Sequence, residues 1–492
     1  MKRSLILILT LIIILPGIRS QENIPAIESL NDGNYFFNRE DYKEAVFHYL
    51  KLDGTELINA NIYYKIGICF LNINGEETRA IPFLQKATKD INPKYKKRSD
   101  KESRAPEYAY YYLGNAYRIN NELDKALDSY YIFKNLPDFE SKFNMEILNN
   151  EIKACEKAKI IQDIPINIKL TNVGSPINSS VSNFNPVLSS DETIMIFMKE
   201  LKFYNGIFMS RKEAGIWQEP ENITPQVGSD GDVLPTFLSA NGLELFLVKG
   251  EGNNRDLYVS TFSGQRWTIM KALNSNINSD KAETHASTSL DGTSLYFTSN
   301  KKGGFGELDI YKAIRKKDGT WGKATNLGKI INTPFNEETP FISVDNSTLF
   351  FSSQSHYAMG GYDIFYSILE DNKWGTPINI GYPINTTGDD LFYFPIGNGL
   401  VGYIPKVMDA GLGKEDIYRV EITPDERTKL AAERGAIEMN GKSIDYSRNF
   451  EIQIKDKASG QVTGTIYLNK NTGKLYYISK TGNMSFTYRE KD

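Results

Sequence analysis

Apolar residues recur every three or four positions from about residue 22 to residue 163, and then every second position over most of the remaining chain. The first spacing lays an apolar stripe along a helix; the second puts an apolar face on a strand. Helices joined by short turns are therefore predicted for the first third, and short strands for the rest. Ahead of both, Lys2 and Arg3 precede an apolar run of eleven residues, Leu5 to Leu15, followed by Pro16, Gly17 and Ser20. A membrane-spanning helix needs about 20 apolar residues. The shorter run with these flanks reads as a secretory signal peptide over residues 1–20, cut after Ser20. An exported, periplasmic chain with no transmembrane span after cleavage is expected.

Within residues 22–163 one template occurs three times. Gly33, Gly67 and Gly114 are each followed three residues on by an aromatic (Phe36, Phe70, Tyr117). An alanine comes later (Ala45, Ala80, Ala126), and four residues beyond it a large side chain (Tyr49, Leu84, Tyr130). Gly and Ala let antiparallel helices approach closely, and the large residues fill the groove between pairs. Gly33 to Gly67 is 34 residues, the period of a tetratricopeptide repeat. Gly67 to Gly114 is longer because of the insertion NPKYKKRSDKESRAP, either a solvated loop or a basic docking patch.

The strand region repeats as well. An Asp-apolar-aromatic tripeptide begins at Asp256, Asp309, Asp363 and Asp416, spaced 53, 54 and 53 residues apart, with a weaker copy at Gly206. Trp217, Trp267, Trp321 and Trp374 follow the first four copies. Each Trp precedes a phrase of one type, such as NLGKIINT or NIGYPINT. Upstream of each tripeptide lies a hairpin signal, clearest at Asp291-Gly292 and Asn241-Gly242, where a two-residue turn needs left-handed backbone. Four short antiparallel strands per period make one propeller blade. The last copy lacks a Trp strand, and IPINIKL with NVGSPINS precedes the first. The N-terminal strand is therefore expected to complete the last blade. Residues 164–422 read as a five-bladed β-propeller; six blades would require one more copy. The aromatic of each tripeptide and each Trp are expected in seams between blades.

Beyond a charged linker, residues 423–437, the segment 438–492 alternates polar and apolar residues with glycine turns, as a small antiparallel β-sandwich does. The fold class is thus multidomain α + β: an α-solenoid, a five-bladed propeller and a C-terminal sandwich. The propeller phrases resemble the TolB-type, WD-repeat-like repeat. The helical template resembles tetratricopeptide repeats, and Asp456-x-x-Ser-Gly-x-Val with Asn471-Thr-Gly-Lys-Leu-Tyr-Tyr-Ile resembles the carboxypeptidase-regulatory-like sandwich. In this order the parts look like PorE-type envelope proteins of Bacteroidota, which the resemblance ties to type IX secretion. Those proteins also carry an OmpA-like peptidoglycan-binding domain, which this chain would need about a hundred more residues to hold. The resemblance therefore implies protein partners in the envelope rather than direct binding to peptidoglycan.

Composition narrows the chemistry. A net charge of −4 gives no footprint for nucleic acid. Only Cys69 and Cys155 exist, both within helical patterns, as buried thiols or as one disulfide. His48, His285 and His356 fall in separate repeats, and no Gly-x-Ser-x-Gly, Walker or His-Glu-x-x-His motif occurs. Ser299 matches Ser-x-x-Lys by spelling alone. No catalytic residue, metal site or cofactor is expected, and the chain reads as non-enzymatic. Acids recur in the loops leading to the innermost strands: Asp230 and Asp232, Glu283, Glu337 and Glu338, Asp389 and Asp390. They read as a docking rim for a basic partner, a weak cation site, or ordinary solvated loops. Asp256, Asp309, Asp363 and Asp416 read as structural, bonding neighbouring backbone. A scaffold for protein partners is the leading expectation, with a carbohydrate- or peptide-binding module as the alternative.

Overall fold

The computed structural model describes residues 24–96, 101–163, 165–251 and 254–423, and the backbone of six strands between 436 and 490. The proposed signal peptide and most of the linker lie outside the described residues. The chain forms two compact units that divide between Ile152 and Lys153.

The first unit is helical. Its hairpins are α1 (Ile24–Asn38) with α2 (Tyr42–Leu50), α3 (Ala60–Leu71) with α4 (Ala80–Ala87), and α5 (Ala109–Ile119) with α6 (Leu123–Lys134); α7 (Phe139–Lys142) follows, and the division falls within α8 (Met145–Gln162). Asn59 caps α3 by accepting the Ile62 N–H at 3.1 Å, satisfying one of the donors that a helix start leaves open. Each template glycine meets its template partner. A Cβ on Gly33 would lie 2.7 Å from the Tyr49 ring, on Gly67 2.5 Å from Leu84, and on Gly114 2.3 Å from Tyr130. The tyrosines are anchored at the far end too: Tyr49 Oη donates to Asn34 Oδ1 at 2.9 Å and Tyr130 Oη to Asn115 Oδ1 at 2.8 Å. With Tyr130 fully buried, its ring has no room to yield. Gly114→Val should therefore destabilise this unit by about 2 kcal/mol through overpacking, seen as a lower midpoint of the helical signal in thermal melts by far-ultraviolet circular dichroism. Cys69 and Cys155 are both buried and are not joined by a disulfide, and burial pushes the Cys69 thiol up to about 12.

The second unit holds five four-stranded antiparallel blades. Blade 1 is β2 (Asn183–Leu188), β3 (Ile194–Glu200), β4 (Asn205–Glu213) and β5 (Ile216–Trp217), with β6 (Glu221–Asn222) also on β4. A short helix, α9 (Thr224–Val227), leads to blade 2: β7 (Val233–Leu238), β8 (Glu244–Glu251), β9 (Asn254–Thr261) and β10 (Lys271–Ala272). Blade 3 is β11 (Glu283–Thr288), β12 (Ser294–Ser299), β13 (Asp309–Ile314) and β14 (Thr325–Asn326). Blade 4 is β15 (Glu337–Ile342), β16 (Thr348–Ser353), β17 (Asp363–Glu370) and β18 (Lys373–Trp374), with β19 (Ile378–Asn379) also on β17. Blade 5 takes β20 (Phe394–Ile396), β21 (Val401–Lys406) and β22 (Asp416–Ile422) from its own period and its outer strand, β1 (Ile168–Asn172), from the N-terminal side. β1 runs antiparallel to β22 from Ile168↔Ile422 to Asn172↔Tyr418, the closure expected from the incomplete last copy.

Between the first two strands of a blade the turn is built by side chains. Ser289 Oγ donates to Asp291 Oδ1 at 2.6 Å and accepts the Ser294 N–H at 2.9 Å; Ser189 with Asp191 and Ser343 with Asp345 repeat this. The left-handed residue is Gly242 or Gly292 in blades 2 and 3, but Glu192 and Asn346 in blades 1 and 4. C-terminally, β23 (Ala436–Met439) pairs with β24 (Lys442–Asp445). β25 (Phe450–Asp456), β26 (Val462–Asn469), β27 (Lys474–Ser479) and β28 (Met484–Glu490) form a sheet of order β27-β26-β25-β28. β23 thus starts inside the last two residues of the segment read as linker. Among the described residues no helix is long and apolar enough to cross a membrane.

Candidate functional site

The recurring aspartates act inside the blades. Asp363 accepts the Met359 and Gly360 N–H groups at 2.6 and 3.1 Å and Asn379 Nδ2 at 2.7 Å. Asp309 takes Phe305 N, Gly306 N and Asn326 Nδ2 in the same way, and Asp416 takes Leu412 N, Gly413 N and Asn172 Nδ2. A second asparagine locks each clasp: Asn385 Nδ2 reaches Asn379 Oδ1 at 2.8 Å while bonding the Ile364 backbone. Asp256 holds the corresponding place in β9, where Ala272 replaces the asparagine. Three of the tryptophans reach the preceding blade. Trp267 N donates to Gln226 Oε1 at 2.9 Å, Asn274 and Asn276 Nδ2 donate to the Trp321 carbonyl, and Trp374 meets Tyr296 edge-on at 6.4 Å. Trp217 is half-buried under Lys212.

The seven rim acids do not form one ring of free carboxylates. Glu283 accepts Ser279 N and Oγ at 2.9 and 2.8 Å and Ser299 Oγ at 2.6 Å. Glu337 does the same with Thr333 N, Thr333 Oγ1 and Ser353 Oγ, and Asp390 with Thr386 N and Oγ1. These three hold the loop before each inner strand, as Asn183 does with Ser179 in blade 1; Val233 occupies the place in blade 2. Burial pushes the Glu283 carboxyl up, Glu337 to about 7 and Asp390 to about 6. Asp230 and Asp232 are exposed, the latter 3.4 Å from Lys249. Asp389 accepts the Tyr362 N–H at 3.1 Å.

Glu338 reaches across the seam to blade 3. It accepts His285 Nδ1 and Thr284 Oγ1 from blade 3, both at 3.2 Å, and Tyr362 Oη at 3.1 Å. Burial opposes its charge, yet the bonds from His285, Tyr362 and Thr284 hold the carboxyl below the usual carboxylate range. With Glu338 ionised, the hydrogen-bond network assigns the proton to His285 Nδ1. His285 Nε2 makes no hydrogen bond within the described residues. Leu234 and Leu391, 37% and 38% exposed, lie at the entry ends of the inner strands of blades 2 and 5, so this mouth of the channel is polar on one side and apolar on the other.

Deeper in, aromatic rings meet across the channel. Phe237, Phe341 and Phe394, from the inner strands of three blades, meet with ring centroids 6.4, 6.1 and 5.2 Å apart, and Phe392 sits edge-on against Phe341 at 5.5 Å. The acid positions were read from the sequence, whereas the seam cluster and the meeting of the phenylalanines emerge only from the closed ring. Among the described residues no group of three or more His, Cys, Asp or Glu is placed to share a metal ion.

No protein-family model matches this chain, and no curated protein matches it. Solved structures similar to it include TolB from Acinetobacter baumannii, 15% identical with a TM-score of 0.31 over 50% of this chain and 55% of that one. This chain thus spans about half of that protein. A putative TolB from Agrobacterium tumefaciens is 12% identical (TM-score 0.32, 53% and 99% covered). An α-L-arabinofuranosidase from Lactobacillus brevis is 14% identical (TM-score 0.35, 54% and 95%). At these scores the likeness assigns no activity. The five blades rest on the strand pairing itself.

Proposed function

We propose that this chain is a non-enzymatic scaffold of the cell envelope that holds protein partners in an outer-membrane or type IX secretion assembly. On this reading the hairpins are tetratricopeptide repeats, the propeller is TolB-type, the C-terminal strands are a regulatory-like sandwich, and residues 1–20 direct export to the periplasm. The observation that carries it is the plug of Phe237, Phe341 and Phe394. Apolar rings meeting across the channel, with Glu283, Glu337 and Asp390 spent on their own loops, favour the outer surfaces of the propeller as the place where partners bind. Cross-linking in the native envelope, followed by purification of the chain and mass spectrometry, tests this. Secretion or outer-membrane proteins should be recovered reproducibly; enrichment of no protein would sink the scaffold.

A second reading, a carbohydrate- or peptide-binding module, draws on the unpartnered Nε2 of His285 beside an apolar lip. It predicts saturable binding on a glycan or peptide array that His285→Ala abolishes while circular dichroism shows the chain still folded.

A further inference from the structure

Asn-Gly pairs occur in the chain at Asn74, Asn205, Asn241, Asn398 and Asn440, and the first four lie among the described residues. In such a pair the glycine nitrogen can attack the asparagine side-chain carbon, because the glycine carries no Cβ to stand in the way. The attack has two requirements. The amide side chain must be free to turn toward the main chain, and the attacking nitrogen must give its proton to a group able to hold one.

Three of these four pairs are blocked. Asn241 Oδ1 accepts from Ser239 Oγ at 2.8 Å and from Leu243 N at 3.1 Å, while Gly242 N donates to the Ser239 carbonyl at 2.8 Å. Asn398 Oδ1 accepts from Leu400 N at 3.1 Å, while Gly399 N donates to the Ile396 carbonyl at 3.0 Å. A peptide carbonyl accepts a hydrogen bond but does not take the proton in neutral water. Asn205 and Gly206 pair with Glu200 and Lys199 of β3, so the ladder holds their peptide extended.

Asn74 differs at both ends. Its side chain is exposed and makes no hydrogen bond among the described residues. Gly75, left-handed at φ 77°, turns its N–H to a carboxylate, with Gly75 N 3.0 Å from Glu77 Oε1. That is within reach for proton transfer. The turn is fixed around these groups, since Glu76 N donates to the carbonyl of buried Ile73 at 2.9 Å. Amide, nucleophile and base therefore stand together on the turn between α3 and α4.

We propose that Asn74 is a site of spontaneous deamidation, with Glu77 as the base. The Gly75 nitrogen bonds to Asn74 Cγ as its proton passes to the Glu77 carboxylate. The Cγ–Nδ2 bond then breaks, and the amide nitrogen leaves as ammonia with that proton. Water opens the resulting succinimide at either carbonyl, leaving aspartate or isoaspartate at position 74. Either product adds a negative charge beside Glu76 and Glu77, and isoaspartate also lengthens the main chain of the turn by a methylene. The conversion needs no partner and is independent of the scaffold reading.

The full chain is held in mildly alkaline buffer and sampled over time, and its tryptic peptides are followed by mass spectrometry for conversion of amide to acid. Asn74 should convert at least about tenfold faster than Asn241 and Asn398. Glu77→Gln keeps an oxygen for the Gly75 N–H but cannot hold its proton, so conversion at Asn74 should slow by about tenfold with Asn241 unchanged. Equal rates at the three asparagines of the folded chain overturn the proposal, and so does an unaltered Asn74 rate in Glu77→Gln. The unaltered chain in denaturant decides the matter should the variant misfold. There the three rates should converge, and a lead for Asn74 that persists would assign it to neighbouring sequence rather than to the folded turn, overturning the proposal as well.

Discussion

Replacing Asp363 with alanine should cost the propeller about 4 kcal/mol, since a buried donor left without its acceptor costs about 1–3 kcal/mol. The carboxylate is fully buried and accepts Met359 N, Gly360 N and Asn379 Nδ2. Removing it strands three donors at once, and water cannot replace it without opening the loop between β16 and β17. Asp363→Asn keeps one acceptor but turns an amide donor toward other donors, so about half the loss is expected. Scanning calorimetry of the full chain reads both, as a lowered transition for Asp363→Ala with Asp363→Asn between it and the unaltered protein. Equal melting of all three would remove the clasp from any account of blade stability.

The second large effect is one of pH. The Glu337 carboxyl is raised by burial to about 7, against hydrogen bonds from Thr333 and Ser353 that favour its charge. A carboxyl raised in the folded state binds its proton more tightly there than in the unfolded chain. Its contribution is therefore fully present below the ordinary carboxyl range and is lost as pH rises toward 7. At 1.36 kcal/mol per unit the loss is at most about 3 kcal/mol. Asp390, raised to about 6, and Glu283 act in the same direction. Denaturant midpoints should rise as pH falls from 8 to about 5. Glu337→Gln imitates the protonated acid, so it should stabilise the protein at pH 8 and flatten the profile. A variant with an undiminished slope would assign the titration to other groups.

The architecture was legible wherever a residue type can do only one job. The Asp-apolar-aromatic spacing, the hairpin turns and the missing Trp strand led to five blades and to the closing partnership of β1 with β22, because each is a backbone requirement repeated in register. The glycines of the helical template were readable for the same reason, since only glycine admits Tyr130 at that distance. The rim acids were not, because sequence gives the position of a carboxylate and not its direction. Glu337 and Glu338 are adjacent, yet strand alternation turns the first back to Thr333 and sends the second across the seam to His285. A signal did exist in the hydroxyl four residues ahead: Ser279 before Glu283, Thr333 before Glu337, Thr386 before Asp390. The phenylalanine plug had its trace as well, since Phe237, Phe341 and Phe394 each stand five residues ahead of a left-handed turn residue, Gly242, Asn346 and Gly399, but only the closed ring shows that they meet.

Because β1 pairs with β22, the ring is sealed by residues as distant in sequence as Asn172 and Tyr418. Each blade before the last is made of neighbouring chain, so it can assemble as synthesis proceeds. The seal cannot form until the end of the repeat has emerged, and long-range pairing of this kind is slow. Until then β22 offers an unpaired edge, and so does β1. Any second copy nearby can supply the missing strand, exchanging one closed ring for two linked ones. Chain concentration during folding, more than the strength of any blade, then decides between monomer and strand-exchanged dimer.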